Sequence, residues 1–132
     1  MDDMATMTGA ETDVKEIQAW IERYCATVTA GDFEYAWKRA LSPSLASPSA
    51  NLLYDLKGAR AFHQGEQPDS GKVGVRSVDD RTLVVELEEP TGYLLHLLTN
   101  CVTYALPRHV VERFGEAWTE PAHLATNGPF QL

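Results

Sequence analysis

Four histidines and two cysteines are the side chains of this sequence best suited to nucleophilic, acid–base or metal chemistry. Cys101 and His109 could serve as a nucleophile and its base, but such a pair needs a third group that orients the base. A zinc site needs histidines or cysteines at short regular spacings, which the sequence lacks. We therefore expect neither a catalytic centre nor a metal site from this set: His63, His96, His109, His123, Cys25 and Cys101.

Three carboxylates, Glu86, Glu88 and Glu89, lie near the end of a predicted strand. Such a group is more typical of a solvated surface than of a general acid and base. The sequence also has no glycine-rich phosphate loop and no Gly-x-Ser-x-Gly motif. These patterns predict a protein that is not an enzyme and needs no cofactor.

The composition is that of an ordinary globular domain, with 132 residues, 44% of them hydrophobic and 23% charged. The net charge is −8 without a basic stripe, which argues against nucleic acid or an anionic membrane as a partner. No apolar run is long enough to span a membrane, and the first ten residues do not resemble a secretory signal. For Cys25 and Cys101, two buried thiols are favoured over one disulfide bridge.

The stretch from residue 29 to residue 62 predicts the first elements of the fold. Thr29 caps a helix, with Asp32 in the capping-box position, and the Ser-Pro pair at 42–43 ends that helix. The Ser-Pro pair at 47–48 then predicts the start of a second helical run. The first helix carries five apolar residues on one face: Phe33, Ala36, Trp37, Ala40 and Leu41.

The rest of the sequence predicts a hairpin and two more helices, and hence an α+β fold with several helices around a small antiparallel sheet. Residues 73–78 and 82–88 alternate as strands around a turn at 79–80. Residues 93–98 are apolar nearly all round, so we expect a helix at the centre of the core. A short helix follows at 108–114. We expect one buried cluster made of Phe33, Trp37, Leu52, Leu53, Leu83, Val85, Leu94, Leu97 and Leu98.

The N-terminal segment holds six acids and two bases in residues 1–27. Residues 1–12 are expected to be a disordered acidic tail, and residues 13–27 to carry a helix from Asp13 to Ala26. That helix has an apolar face, which can pack within its own chain or on a second copy as a two-fold homodimer. We slightly favour the dimer. The face consists of Val14, Ile17, Ile21 and Tyr24.

Six segments within residues 28–132 combine these elements in a fixed order. They are Val28 to Pro43 followed by Ala46-Ser47-Pro48, then residues 52–62, 73–90, 93–98, 106–119 and 126–132. Together they resemble the bacterial extracellular solute-binding proteins of family 5, the oligopeptide- and dipeptide-binding type. That family has strands and a glycine-rich loop before the first of these helices, whereas this sequence has the acidic helix.

The resemblance implies a receptor that captures peptides or similar small solutes and delivers them to the membrane subunits of an ABC importer. Residues 28–132 would be a fragment of one lobe of a periplasmic-binding-protein-like fold, with ligand held between two lobes. Ser49 and Asn100 match positions near ligand in such receptors, and are the candidate ligand-binding residues. The location would be the periplasm or the extracellular face, if the parent protein carries a signal.

An alternative from another class is a cytosolic regulatory or sensory module that retains a piece of this fold. The N-terminal helix would then join the piece to a signalling domain. The acidic helix and the missing signal favour this alternative, whereas the six segments favour transport. The identity of the ligand stays open.

Overall fold

A computed structural model of the chain describes residues 28–126. Four α-helices and two strands form this part of the chain, which confirms the predicted α+β class. They are α1 (Ala30–Ala40), α2 (Ala59–His63), β1 (Val75–Asp79), β2 (Thr82–Val85), α3 (Leu94–Leu97) and α4 (Arg108–Phe114). Short 3-10 turns connect them, among them Ala50–Leu53 and Cys101–Thr103. The predicted tail at 1–12, the predicted helix within residues 13–27 and the end of the last of the six segments, residues 127–132, lie outside the described residues.

Helix α1 begins and ends where the sequence predicts. The Asp32 carboxylate accepts hydrogen bonds from the backbone N–H of Thr29 at 2.9 Å and from its hydroxyl at 3.1 Å. This arrangement satisfies groups that a helix start otherwise leaves unpaired. The helix stops at Ala40, with the fully buried Leu41 as its C-cap, two residues before Pro43. Its buried face includes Ala36 and Trp37, so the predicted phase is confirmed.

The second helical run was predicted wrongly, because the chain there binds the hairpin instead of forming one helix. A 3-10 turn, Ala50–Leu53, is followed by a bridge between Leu56 and Leu87. The Lys57 N–H donates to the Glu86 carbonyl at 3.0 Å, and the Lys57 carbonyl accepts from the Gly74 N–H at 2.7 Å. Helix α2 therefore starts only at Ala59, after Gly58 has turned the chain with a φ of 68°.

The antiparallel hairpin is confirmed, with a turn one residue later than predicted. Val75 pairs with Val85 and Ser77 with Leu83, and a register irregularity between Ser77 and Asp79 moves the turn to residues 80–81. Such a bulge adds twist to a two-stranded sheet. Two valines, Val73 and Val75, are buried and bring the first strand onto the core.

Glu34 fastens α1 to the hairpin. Its carboxylate accepts hydrogen bonds from the Ser77 N–H at 2.7 Å, the Ser77 hydroxyl at 2.8 Å and the Lys38 ammonium at 2.6 Å. Burial raises the pKa of Glu34, but these hydrogen bonds outweigh burial and lower that pKa to about 2. The carboxylate is therefore ionised at neutral pH, and it stabilises the contact between helix and sheet.

The predicted central helix is the largest correction to the expected core. Helix α3 spans only four residues and buries none of them, and Leu95 is 75% exposed. Of the nine expected core residues, Trp37 and Leu53 are buried, and Leu98 is exposed. The others are half-buried, and Leu83 and Val85 pack against the core. The observed core is Ala36, Trp37, Leu41, Ala50, Leu53, Leu56, Ala59, Phe62, Val73 and Val75.

Helix α4 has the predicted bounds, with Pro107 as its N-cap and Gly115 as its C-cap at a φ of 56°. It packs on the chain through the buried Val110 and Val111. Within residues 28–126, none of the helices has the length and apolar character needed to cross a bilayer.

Candidate functional site

Asn100, the first candidate ligand residue, lies on the surface directly after α3. Its side-chain carbonyl accepts a hydrogen bond from the Val102 N–H at 3.1 Å and caps the 3-10 turn Cys101–Thr103. The Cys101 thiol also lies 3.7 Å from this oxygen. Cys101 is exposed, so the expected buried thiol is wrong at this position, while Cys25 lies outside the described residues.

Ser49, the second candidate, is half-buried at the start of the 3-10 turn Ala50–Leu53. Its carbonyl accepts from the Leu52 N–H at 3.1 Å, and the next residue, Ala50, is fully buried. The loop before it includes Ala46 in the left-handed region, at a φ of 49°. Ser49 is thus held at the point where an exposed loop returns to the core.

The two candidates follow separate loops, but the structure brings their turns to one side of the core. The Trp37 indole N–H donates to the Thr103 carbonyl at 2.8 Å, which anchors the turn after Asn100. A narrow crevice beside Trp37 is lined by Leu53 from one turn, by Thr103 from the other and by Leu98 at the end of α3. Its volume of about 10 Å³ is too small for a solute, so it marks packing between the turns rather than a binding pocket.

The larger concavity is an open groove of about 590 Å³ between the start of α1, the hairpin and α3, called here the α1–α3 groove. This size falls within the range of small-molecule pockets. Charge enters its lining only through Asp80 and Arg81, so the surface is mainly apolar. The groove is lined by Val28, Thr29, Ala30, Phe33, Trp37, Asp80, Arg81, Leu83, Val85, Leu94, Leu98, Thr103 and Tyr104.

Two exposed tyrosines near α3 were missed as candidates from the sequence. Tyr93 is 54% exposed and donates a hydrogen bond to the Asp55 carboxylate at 3.0 Å, which raises the pKa of Tyr93. Tyr104 is 57% exposed at the edge of the α1–α3 groove. Both flank an apolar helix, and exposed aromatic rings beside apolar surface are typical of contact sites.

Three of the side chains that first suggested chemistry have structural partners. Glu86 pairs with Lys57 at 3.3 Å, and the Glu88 carboxylate accepts from the Gly58 N–H at 2.8 Å. The Nδ1 atom of His63 lies 2.6 Å from the hydroxyl of Tyr54. Across residues 28–126, no three histidine, cysteine or acidic side chains gather as metal ligands would.

Comparison with known proteins assigns the family. The profile of the bacterial extracellular solute-binding proteins, family 5, middle region, matches residues 26–132. The chain belongs to this family. The match confirms the resemblance inferred from the six segments.

Two of the similar curated proteins are peptide-binding proteins by name. The periplasmic oligopeptide-binding protein OppA of Escherichia coli is 40% identical over 107 residues, which is 80% of this chain and 20% of the relative. The dipeptide-binding protein DppE of Bacillus subtilis is 41% identical over 106 residues, 80% of this chain and 19% of the relative. The chain thus spans about one fifth of the length of these relatives.

Solved structures of family 5 proteins share the fold of this chain. The Haemophilus influenzae OppA complex with RPPGFSPFR matches with a TM-score of 0.75 and 34% identity, over 80% of this chain and 21% of that protein. The substrate-binding domain of an oligopeptide ABC transporter from Bacillus anthracis gives 0.74 and 39%, over 80% and 20%. The chain therefore folds as a fragment of a periplasmic-binding-protein structure, as predicted.

Proposed function

We propose that this chain forms part of one lobe of an ABC-importer substrate-binding protein for peptides or similar small solutes. The observation that carries the proposal is the fold shared with a receptor whose structure contains a bound peptide, at 34% identity over 80% of the chain. The chain would take part in capture and delivery outside the cytoplasm, with the importer's membrane subunits as partners. It would have no catalytic role.

Within this lobe, we assign Ser49 and Asn100 to the ligand side. Each starts a 3-10 turn, and both turns meet at the crevice beside Trp37. Turns anchored on a packed core hold polar groups in place, which lowers the entropy lost when a ligand binds. The side-chain carbonyl of Asn100 already accepts a hydrogen bond from the Val102 N–H at 3.1 Å, so the side-chain N–H groups of Asn100 are the ones available to a ligand.

A segment exchange in Escherichia coli OppA tests this function. Residues 28–126 of this chain replace the matched segment, and peptide affinity is measured by calorimetry. If the exchanged segment serves the same role, the hybrid binds peptide within about tenfold of the parent, a difference of about 1.4 kcal/mol. A folded hybrid without measurable peptide affinity would contradict the proposal.

Substitutions in the hybrid separate a ligand contact from a structural cap. Asn100→Asp keeps the oxygen that accepts from the Val102 N–H but removes the amide donors, so affinity should fall while stability stays unchanged. Asn51→Ala, at an exposed asparagine of the turn after Ser49, is the matched control and should leave affinity unchanged. Ser49→Ala tests the second candidate in the same assay. Unchanged affinity in both Ser49→Ala and Asn100→Asp would contradict the assignment of these residues to the ligand side. The proposed function would then be judged by the peptide affinity of the unsubstituted hybrid alone.

A further inference from the structure

The α1–α3 groove begins where the described chain begins. Val28, the first described residue, is 42% exposed and forms part of the groove's own lining. Phe33, Leu83 and Leu94 line the same groove from three different elements. An apolar concavity of this size is seldom left open on a soluble protein, because its exposure to water is unfavourable.

Hydrogen bonds fix the point at which the preceding chain reaches the groove. The Ala30 N–H donates to the Asp80 carbonyl at 2.8 Å, which ties the start of α1 to the hairpin turn. Thr29 has an extended backbone and is held by Asp32. Residues 1–27 therefore join the described part at the edge of the groove, and only Thr27 separates the predicted helix from Val28.

We propose that residues 13–26 of this chain occupy the α1–α3 groove as an amphipathic helix. A helix of 14 residues is about 21 Å long and presents one apolar face. That face carries Val14, Ile17, Ile21 and Tyr24. The acidic side chains of the segment lie mainly on other faces, and so remain in water when the apolar face is buried.

The short connection favours the chain's own segment over a second copy. A segment joined by one or two residues has an effective concentration in the millimolar range, well above a second copy at micromolar concentration. Residues 13–25 also lie outside the match to the family 5 profile, which covers residues 26–132. Our preference thus passes from the homodimer expected from the sequence to packing within one chain.

Hydrogen exchange on the full chain tests the proposal through two substitutions, one in α3 and one at its C-cap. Leu98 lines the groove and is 38% exposed, whereas Leu95 is 75% exposed and does not line it. We expect amides of residues 13–26 to exchange at least about tenfold more slowly than in a free peptide of that sequence. Leu98→Asp should abolish this protection, and Leu95→Asp should retain it. Exchange in α1, measured in the same samples, shows whether each variant is folded.

A second pair of substitutions addresses the segment itself. Ile21→Asp places a charge on the proposed docking face, and Ala19→Asp places the same charge on the opposite face. Protection of residues 13–26 should be lost in the first variant and kept in the second. Equal behaviour of the two variants, or no protection in the parent, would overturn the proposal.

Sedimentation at tens of micromolar completes the test. The proposal expects a monomer whose protection of residues 13–26 does not change with concentration. Protection that appears only with a dimer mass would show that the groove takes the segment of a second copy, and would overturn packing within one chain.

Discussion

Truncation of Trp37 should be among the most damaging single changes in the described part of the chain. The side chain is 3% exposed, and its indole N–H donates to the Thr103 carbonyl at 2.8 Å. Removal of a buried tryptophan leaves a cavity, so Trp37→Ala should lower the free energy of unfolding by about 3–5 kcal/mol. Trp37→Phe keeps most of the packing but leaves the Thr103 carbonyl without its donor, at a cost of about 1–3 kcal/mol.

Urea denaturation followed by far-UV circular dichroism measures both losses. With a slope of about 2 kcal/mol per molar urea, a loss of about 4 kcal/mol lowers the midpoint by about 2 M. Trp118→Phe, at a half-buried tryptophan in the 3-10 turn after α4, is the matched control and should cost less than about 1 kcal/mol. A loss below about 1 kcal/mol for Trp37→Ala would place Trp37 on the surface and refute the assigned face of α1.

Three further outcomes follow from the same structure. The pKa of Glu34 is lowered from 4.5 to about 2, so its stabilisation is present above about pH 4.5 and is lost as the pH falls through 2. Glu34→Gln should remove that pH dependence and lower the free energy of unfolding by about 1–3 kcal/mol at pH 7. Urea denaturation at several pH values measures both effects. Gly74→Ala should cost about 1–3 kcal/mol in the same assay because its methyl group would collide with the Glu86 carbonyl, while Gly92→Ala, whose methyl group meets no atom within 4 Å, should change little. Calorimetry with a library of tri- to pentapeptides should detect no tight binding by this chain alone, because it spans about one fifth of the peptide-binding relatives, and sub-micromolar affinity would contradict this.

Elements with a local signal at each end could be predicted from the sequence. Helix α1 has its capping pair at Thr29 and Asp32 and a proline soon after its end, and its buried face follows the helical period. Helix α4 has Pro107 before it and Gly115 after it, and its bounds agree with the prediction. These signals act within one turn of the chain, so no knowledge of distant partners is needed.

The run from residue 47 to residue 62 was mispredicted because its backbone partners are distant in sequence. Lys57 bonds to Glu86 and Gly74, and Leu56 forms a bridge with Leu87. A periodic apolar pattern reports which side chains are buried, and Leu53 and Leu56 are indeed buried. It does not report whether the main chain pairs with itself or with a hairpin 30 residues away.

The candidate ligand residues could not be predicted from local sequence patterns alone, for a related reason. Ser49 and Asn100 each begin a 3-10 turn, and nothing in their local sequence distinguishes a capping side chain from one that contacts a solute. Their selection came from family position, and the structure adds that both turns are anchored near Trp37. In a two-lobed receptor, the chemistry of the site depends on residues of both lobes, so one lobe's sequence determines only half of it.

Helix α3 shows that an apolar sequence does not by itself place a helix in the core. Its sequence is apolar nearly all round, which predicted a helix at the centre of the core, yet Leu95 is 75% exposed and Leu98 38%. An apolar pattern predicts that a helix is covered, but it does not identify the segment that covers it. Leu98 lines the α1–α3 groove, which is the proposed docking site of residues 13–26. Leu95 lies outside that groove, so docking of residues 13–26 would cover only one side of α3. Leu95 and Tyr93, which is 54% exposed, would therefore stay exposed when the groove is filled.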